Sequence, residues 1–408
     1  MSFAALKQRM SQEIMAVLTN VCRGIAECAL AVIVFPGIVE LLFLTLGGFR
    51  SGRTKPRRSH QEFKLAVLIP AHNQEQWIAR CVESVTASAA AVRESVRIIV
   101  IADNCTDRTA ARAAQAGAEV LLRRDAASHG KSYSLAFAYE KVLRQNFDGV
   151  LVIDADCIVS DRAVTEVVRV LESGADAVQT RYEVHNSEES SHARLMALAL
   201  LGFTVIRPRG RCFWGLSAGI FGTGFGLRRE VLASVPYLMY SLVEDLEFHL
   251  QLVRHGFRVA FLDCAAVYGQ MPIAAPGVVA RRSRWEAGRL QLVRKDARTV
   301  LRDIFRGQTR LIEPLADLLT LPLALQSAAL IALLLIGSRD FRLYSLFGMG
   351  VLCLHVLACT LAGKQPLTSL RALVIVPFYI LWKIAISPSI ISTAWASANW
   401  VRTERREE

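Results

Sequence analysis

The chain has 408 residues, of which 53% are hydrophobic, and it carries a formal net charge of +12. Its mean hydropathy of +0.33 is too high for an ordinary soluble enzyme, and its length allows two or three structural units. The basic residues are interleaved with apolar segments and form no DNA-reading helix, so we expect no nucleic-acid partner. The nine cysteines include no Cys-x-x-Cys pair and no Cys/His cluster at zinc spacing, which indicates reduced thiols.

Apolar runs near both ends of the chain are long enough to cross a bilayer core of about 30 Å. They cover residues 25–49, 317–337, 343–362 and 372–392. Basic residues follow the first run directly: Arg50, Arg53, Lys55, Arg57 and Arg58. Because basic flanks stay on the cytoplasmic side, we expect an integral protein of the inner or plasma membrane whose middle part is cytosolic. The basic cluster either attracts anionic membrane lipids or keeps a linker solvated.

Strand and helix patterns alternate in the middle of the chain. We predict strands over 65–70, 97–102, 118–123 and 149–153, and helices over 76–90, 108–116 and 132–145. Buried strands that alternate with helices form a mostly parallel sheet, so the predicted fold class is α/β. Ligands of such sheets bind beyond the carboxyl ends of the strands. Polar residues occur at these ends or in the loops that follow: Asn73, Glu75, Asp103, Lys131, Asp154 and Asp156.

The most informative stretch is the apolar run that ends in Asp154 and Asp156. Their i,i+2 spacing puts both carboxylates on one face of an extended segment. Two hard oxygen ligands suit a divalent cation, which in turn suits a diphosphate. An isolated Asp-x-Asp is also common in solvated turns, so the neighbouring motifs decide its meaning.

Three further clusters follow the predicted strands, and each has a purely structural alternative. The run from Gly219 to Arg229 is glycine-rich but lacks the spacing of a P-loop or dinucleotide fingerprint, so it is either a ligand loop or an ordinary one. Glu244 and Asp245 open a predicted helix over 244–255, where the helix dipole favours acidic residues in any case. The segment 281–285 is either functional or an interfacial membrane anchor.

Four motifs in this order resemble the membrane-bound family 2 glycosyltransferases, which include cellulose, hyaluronan and chitooligosaccharide synthases and ceramide glucosyltransferases. The resemblance spans about residues 63–300, and its motifs are Ile69-Pro-Ala-His-Asn73, Asp154-Ala-Asp156, Glu244-Asp245 and Arg281-Arg-Ser-Arg284-Trp285. It implies a cytosolic GT-A domain over residues 59–310 that ends in an interfacial helix. A membrane anchor with a basic linker would precede it over 1–58, and a transmembrane region would follow over 311–408.

The resemblance also implies roles for the residues that match the family's motifs. Ala71, Asn73, Glu75 and Asp103 would hold the uridine of a nucleotide-sugar donor, and Lys131 would neutralise or position its diphosphate. Asp154 would contact the nucleotide or its ribose, and Asp156 would coordinate Mg²⁺ or Mn²⁺.

The remaining motifs would serve the acceptor and the chemistry. Gly222, Thr223 and Gly224 would line the acceptor path, and Asp245, with Glu244 beside it, would be the general base. Arg284 and Trp285 would close over the diphosphate and the acceptor, with Arg281 at a position where the family usually has Gln. That departure weakens the case for processive chain growth.

The expected function is inverting transfer of a sugar from a nucleotide donor, most simply a UDP-sugar, to a growing polysaccharide or a lipid. One base and one metal, without a second carboxylate nucleophile, favour a single displacement. Four spans make a small channel, so chain export would require an oligomer or an export partner. The alternative is a non-catalytic membrane scaffold or secretion component that keeps a degenerate transferase fold.

Overall fold

The computed structural model describes residues 3–50, 63–125, 127–270, 275–363 and 366–395. The strands are β1 (Leu65–Ala71), β2 (Val96–Asp103), β3 (Glu119–Arg123), β4 (Gly149–Val152), β5 (Ile158–Val159), β6 (Ala177–Val184), β7 (Phe225–Arg228) and β8 (Val259–Gly269). The helices up to the last strand are α1 (Phe3–Gly48), α2 (Ile78–Ser88), α3 (Thr109–Gln115), α4 (Lys131–Leu143), α5 (Ala163–Glu172), α6 (Ser191–Leu201), α7 (Arg207–Phe213), α8 (Arg229–Ser234) and α9 (Glu244–Arg254). Those that follow are α10 (Ala275–Phe305), α11 (Ile312–Leu319), α12 (Leu323–Ile336), α13 (Arg339–Ala362), α14 (Pro366–Arg371) and α15 (Val376–Trp395).

The eight strands form one sheet in the order β3-β2-β1-β4-β7-β6-β8-β5. Strands β1 to β4 are mutually parallel. Strand β6 has the same direction as β4, because β7 lies between them and is antiparallel to both, and β8 is parallel to β6. Only β5 and β7 run against the others. The α/β prediction with a mostly parallel sheet is confirmed, and the four predicted strands agree with β1 to β4 within two residues at each end.

Strand β1 shows why the sheet has two hydrophobic faces. Leu65, Val67 and Ile69 point into a core shared with α2 and α5. Ala66 and Leu68 point into the opposite core, which α4, α8 and α9 cover. Successive strand side chains alternate between faces, so a strand buried on both sides is apolar throughout.

Three helices are long and apolar enough to cross a membrane: Gln12–Gly48, Arg339–Ala362 and Ala372–Ile390. They correspond to the first, third and fourth predicted spans. The second predicted span, 317–337, is not one straight helix, because Thr309–Leu319 and Leu323–Ile336 meet at an angle of 73°. Pro322 stands at this break; proline donates no backbone hydrogen bond and disfavours helical geometry in the residue before it. Counted as one bent span, the pair gives four spans in the described residues.

Helix α1 is joined to the other apolar helices at one end and to the α/β domain at the other. The backbone N–H of Ser338, between α12 and α13, donates to Glu27 Oε1 at 2.9 Å. Near the other end of α1, the indole N–H of Trp214 donates to the carbonyl of Phe43 at 2.9 Å. The apolar helices and the α/β domain are therefore packed together.

A buried cluster of charges lies at this junction. Arg207 pairs with Glu40 of α1 and, at 2.6 Å, with Asp317 of α11. Arg211 pairs with Glu313 and, at 3.3 Å, with Asp317. Helix α7 is thus fixed between the first apolar helix and α11 by ion pairs that are largely shielded from water.

Candidate active site

Lys131 occupies the centre of the candidate site. It is the first residue of α4, directly after Gly130, whose φ of 116° is left-handed. Its ammonium forms an ion pair with Asp154 and donates to the carbonyl oxygen of Gly222 at 2.6 Å. Burial lowers the pKa of Lys131, but the carboxylates of Asp154, Glu244 and Asp245 outweigh this and raise it, so the ammonium stays charged.

The Asp-x-Asp pair lies just beyond the carboxyl end of β4, as the sequence predicts. One carboxylate oxygen of Asp154, one of Asp156 and the sulfur of Cys157 lie within 4.8 Å of one another. Burial raises the pKa of the Cys157 thiol well above its usual value, so it remains a neutral, weak donor. Two half-buried carboxylates beside it fit a hard divalent cation such as Mg²⁺ or Mn²⁺, both of which prefer oxygen ligands.

Glu244 and Asp245 begin α9 close to the Lys131 ammonium. The backbone N–H of Leu246 donates to Asp245 Oδ1 at 2.9 Å. Burial, followed by the charge of Asp245, raises the pKa of Glu244 to about 7, although Lys131 and Arg284 act in the opposite direction. Burial also raises the pKa of Asp245. A raised pKa makes a carboxylate a stronger base, so once deprotonated it can accept a proton from a substrate hydroxyl.

The glycine-rich segment completes the site by passing directly beside these carboxylates. A Cβ added to Gly222 would lie 3.5 Å from Asp245 Oδ2 and 3.7 Å from Lys131 Nζ. Gly222 and Gly224 have φ values of 81° and 69°, which favour glycine at both positions. Between them, Thr223 Oγ1 accepts a hydrogen bond of 3.0 Å from the backbone N–H of Asp154. Residues from four distant parts of the chain therefore converge here.

Gln179, on β6, holds this segment in place and was not among the predicted site residues. Its fully buried side chain donates to the carbonyl of Thr223 at 2.8 Å and accepts from the backbone N–H of Phe221 at 3.0 Å. The sequence signal was a single amide within an otherwise strand-like run, which does not reveal its partner. Gln179 is thus a supporting residue that only the fold identifies.

The loops after β1 and β2 are joined by the residues that we expected to hold uridine. Asn73 Oδ1 accepts from the backbone N–H of Thr106 at 2.8 Å. Glu75 Oε2 accepts from the backbone N–H of Arg108 at 3.1 Å. Ala71 is buried at the end of β1. The side chains of Asn73 and Glu75 thus bind the neighbouring loop. The contact of all three residues with a nucleotide stays a prediction.

Asp103 lies at the end of β2 and is almost completely buried, with 4% of its surface exposed. Arg123 forms an ion pair of 2.6 Å with its Oδ1 atom, and the Ser134 hydroxyl donates to its Oδ2 atom at 2.7 Å. Because Ser134 lies in the first turn of α4, Asp103 links the end of β2 to the helix that begins with Lys131.

Arg284 and Trp285 lie in the long helix α10. Arg284 is close enough to Glu244 to lower its pKa. Trp285 is half-buried and packs against the core on the α2 side of the sheet. The side chain of Arg281 lies outside the part of the chain that the structure describes. Arg284 therefore joins the group around Lys131, whereas the face of Trp285 is used at least partly in packing.

Known proteins are similar in sequence to a large part of this chain. A family model described as "Glycosyltransferase like family 2" matches residues 61–288. The "Probable glycosyltransferase YdaM" of Bacillus subtilis is 28% identical over 270 residues, which are 62% of this chain and 63% of the relative. The "Undecaprenyl-phosphate 4-deoxy-4-formamido-L-arabinose transferase" of Serratia proteamaculans is 26% identical over 155 residues, which are 36% of this chain and 45% of the relative. The chain thus matches less than two thirds of either relative's length.

Among solved structures, the mannosyltransferase PcManGT from Pyrobaculum calidifontis, in complex with GDP-Man and Mn²⁺, is similar over 82% of this chain and 98% of its own. Its TM-score is 0.49 and its sequence identity is 15%. The family match extends over more than half of the chain and includes the Asp pair, Lys131, the glycine segment and the Glu244-Asp245 pair. The chain therefore belongs to the glycosyltransferase like family 2, and its domain is the α/β domain with a mostly parallel sheet that the sequence predicts.

Proposed function

We propose that the protein transfers one sugar from a UDP-sugar to a membrane lipid acceptor, with inversion at the anomeric carbon, on the cytosolic face of the membrane. The observation that carries the proposal is the position of Lys131, whose ammonium pairs with Asp154 and lies near Glu244 and Asp245. Lys131 thus lies between the Asp154–Asp156 pair, which suits a divalent cation, and the Glu244–Asp245 pair, which suits a general base. A departing diphosphate and an attacking hydroxyl need this separation of charges.

Asp245 serves as the general base in this proposal. Its raised pKa suits it to take the proton of an acceptor hydroxyl near neutral pH. The hydroxyl oxygen then bonds to the anomeric carbon while the bond between that carbon and the diphosphate oxygen breaks on the opposite face. Glu244 is the neighbouring carboxyl group, whose own pKa is raised by burial and by the charge of Asp245.

The donor's diphosphate would lie against Lys131 and Arg284, and Asp154 and Asp156 would hold a divalent cation. A bound cation would supply positive charge to the leaving phosphate. The uridine pocket comprises Ala71, Asn73, Glu75 and Asp103, at the same edge of the sheet. Gly222, Thr223 and Gly224 bring the backbone close to the acceptor, because the Gly222 position adjoins Asp245 Oδ2.

A lipid acceptor is favoured by the surroundings of α10. This helix, which carries Arg284 and Trp285, packs against the apolar helix α15. The relative from Serratia proteamaculans is named for an undecaprenyl-phosphate acceptor. The cytosolic side is favoured by the basic residues from Arg50 onward, of which those after Arg50 lie outside the described residues.

The test is UDP release by the full-length protein, purified in detergent, with a panel of UDP-sugars. Each donor is offered with a lipid that carries a free hydroxyl, such as diacylglycerol, or with an oligosaccharide, in the presence of Mn²⁺, Mg²⁺ or a chelator. Undecaprenyl phosphate serves as the comparison, because its phosphate oxygen is already ionised near neutral pH and needs no general base. We expect metal-dependent release with one donor and with the hydroxyl-bearing lipid. Release with the oligosaccharide alone would instead support chain elongation.

Variants distinguish catalysis from a scaffold role. Asp245→Asn should abolish transfer and preserve UDP binding, and Asp156→Ala should weaken metal-dependent UDP binding. Asp161→Asn, an exposed carboxylate near β5, is the matched control and should behave as the parent. A parent protein that neither releases nor binds UDP would contradict the proposal and favour the scaffold.

A further inference from the structure

We propose that Lys383 and Glu286 are positioning residues that hold α10, and through it the start of α9, in the geometry needed for sugar transfer. The last apolar helix would then be a working part of the catalytic site as well as a membrane segment. The proposal rests on the proposed function only for its rate measurements.

Lys383 is an unusual residue for its surroundings. It is the single charged residue in the sequence of α15 and is completely buried, with 0% exposure. Its ammonium forms an ion pair with Glu286 of α10, whose side chain is 14% exposed. Burying an ammonium in an apolar helix is costly unless a carboxylate compensates it, so this pair constrains both helices to one relative position.

Glu286 directly follows Arg284 and Trp285 in the chain, so Lys383 holds α10 at the turn that carries the Arg-Trp motif. Arg284 is also the residue of this helix that acts electrostatically on Glu244. A shift of α10 at Glu286 would therefore move a cation that belongs to the site.

The same stretch of α10 is in direct contact with the chain just before the catalytic carboxylates. A Cβ added to Gly288 would lie 2.6 Å from Val243 Cγ1 and 3.1 Å from Leu242 Cβ. Glycine at this position lets α10 approach the turn that precedes Glu244. A continuous path of contacts thus runs from Lys383 through Glu286 and Gly288 to the first turn of α9.

The neighbouring turn of α15 is also docked on the α/β domain. Tyr379, four residues before Lys383, packs in a cluster with Leu195 and Met196 of α6. Its ring centroid lies 6.4 Å from that of His192. Two successive turns of α15 therefore contact helices of the α/β domain, and this contact continues to the residue beside the Arg-Trp motif.

The experiment compares Lys383→Met, Glu286→Gln, their combination, and the charge swap Lys383→Glu with Glu286→Lys in the full chain. Small displacements of reacting groups cost about 100-fold in rate, so we expect each single variant to lower kcat by about 10- to 100-fold. The KM for the nucleotide sugar should change less than kcat, because Lys131 and Asp154 lie on other elements and only Arg284 of the proposed donor residues lies on α10. Leu381→Ala, on the exposed side of the same helix, is the matched control and should keep the parental kcat.

The charge swap should recover most of kcat, whereas the uncharged double variant should fold but remain slow. Parental kcat in either single variant, or in the uncharged double variant, would overturn the proposal. If the single variants do not fold, the uncharged double variant decides the matter, because it leaves no unpaired buried charge.

Hydrogen exchange provides a measurement that does not depend on turnover. In the single variants, amides of residues 242–250 should exchange faster while those of β1 to β4 keep the parental rate, and the charge swap should restore protection. Uniformly faster exchange would show general destabilisation and overturn the positioning role. A parent without transferase activity would contradict the proposed function, whereas this exchange pattern would still test the link between the helices.

Discussion

Lys131 and Asp154 form an ion pair between the first residue of α4 and the loop that leaves β4. The same ammonium donates to the Gly222 carbonyl, so one side chain joins three segments that are far apart in the chain. The pair also places the positive charge of Lys131 beside Asp154 and Asp156, the two carboxylates that suit a divalent cation. The Lys131 ammonium therefore offsets part of the negative charge of the site before any diphosphate binds.

Replacing Lys131 with Met should weaken UDP binding and lower kcat by about 100- to 1,000-fold, the usual cost of losing a charge-stabilising donor. Binding is measured by calorimetry and turnover by UDP release. Lys141→Met removes an exposed lysine from the same helix and should change neither quantity. Equal loss in both variants would mean that net charge, rather than the position of Lys131, matters.

The pH dependence should reflect the raised pKa values of the Glu244–Asp245 pair. Asp245, the proposed base, must be deprotonated, so kcat/KM should fall with decreasing pH at a value above the ordinary aspartate pKa of 3.8. Glu244, whose pKa is about 7, is the second titrating group, so a change in kcat/KM near pH 7 should be present in the parent and absent from Glu244→Gln. A profile of kcat/KM between pH 4 and 9 tests both statements, and a transition near pH 7 that persists in the variant would exclude Glu244 as its source.

The same pKa has a consequence for stability. Between the unfolded value of 4.5 and about 7, the folded protein binds more protons at Glu244 than the unfolded chain does. The contribution of this group to the free energy of unfolding should therefore be largest below pH 4.5 and decrease as pH rises through 7. Melting temperatures of the parent and of Glu244→Gln should differ by a pH-dependent amount that is greatest above pH 7.

Gln179→Leu should disturb the glycine segment without removing any group that touches substrate. It leaves the carbonyl of Thr223 and the N–H of Phe221 without their side-chain partner, which costs about 1–3 kcal/mol for each buried group. We expect a lower melting temperature and a reduced kcat, because Thr223 supports the backbone of Asp154. Gln115→Leu, at an exposed position of α3, is the control. Parental stability of Gln179→Leu would show that these hydrogen bonds are dispensable.

Arg211→Met should strongly destabilise the junction between the α/β domain and the apolar helices. It leaves Glu313 and Asp317 with less compensation in a buried environment, for which the usual cost is about 3–5 kcal/mol. Thermal unfolding in detergent measures the effect. Removing Arg144, whose ion pair with Glu140 is exposed to solvent, should cost less than about 1 kcal/mol. Similar losses in both variants would contradict the role of burial.

Much of this protein could be predicted from local sequence patterns. Apolar runs that end in polar loops predicted β1 to β4. The spacing of Asp154 and Asp156 predicted two carboxylates at the edge of the sheet that suit a divalent cation. These features depend on side-chain alternation and chain-neighbour spacing, which the sequence contains directly. The predicted site residues Lys131 and Asp154 do lie together, because the carboxyl ends of parallel strands share one edge. Gly222 reaches the same edge because it precedes β7, which runs antiparallel to β4, and Asp245 reaches it as part of the first turn of α9.

Only the tertiary structure decided which side chains meet across the fold. Gln179 is an ordinary amide until β6 places it beside Thr223, and Lys383 is an isolated charge until α15 packs against Glu286. The break at Pro322 likewise became a 73° bend because α11 is held by buried ion pairs while α12 follows the apolar helices. The sequence by itself therefore determined the family, the strands β1 to β4 and the carboxylates of the candidate site, which depend on local patterns. Their supporting partners depend on contacts between residues far apart in the chain, and only the folded protein specifies those contacts.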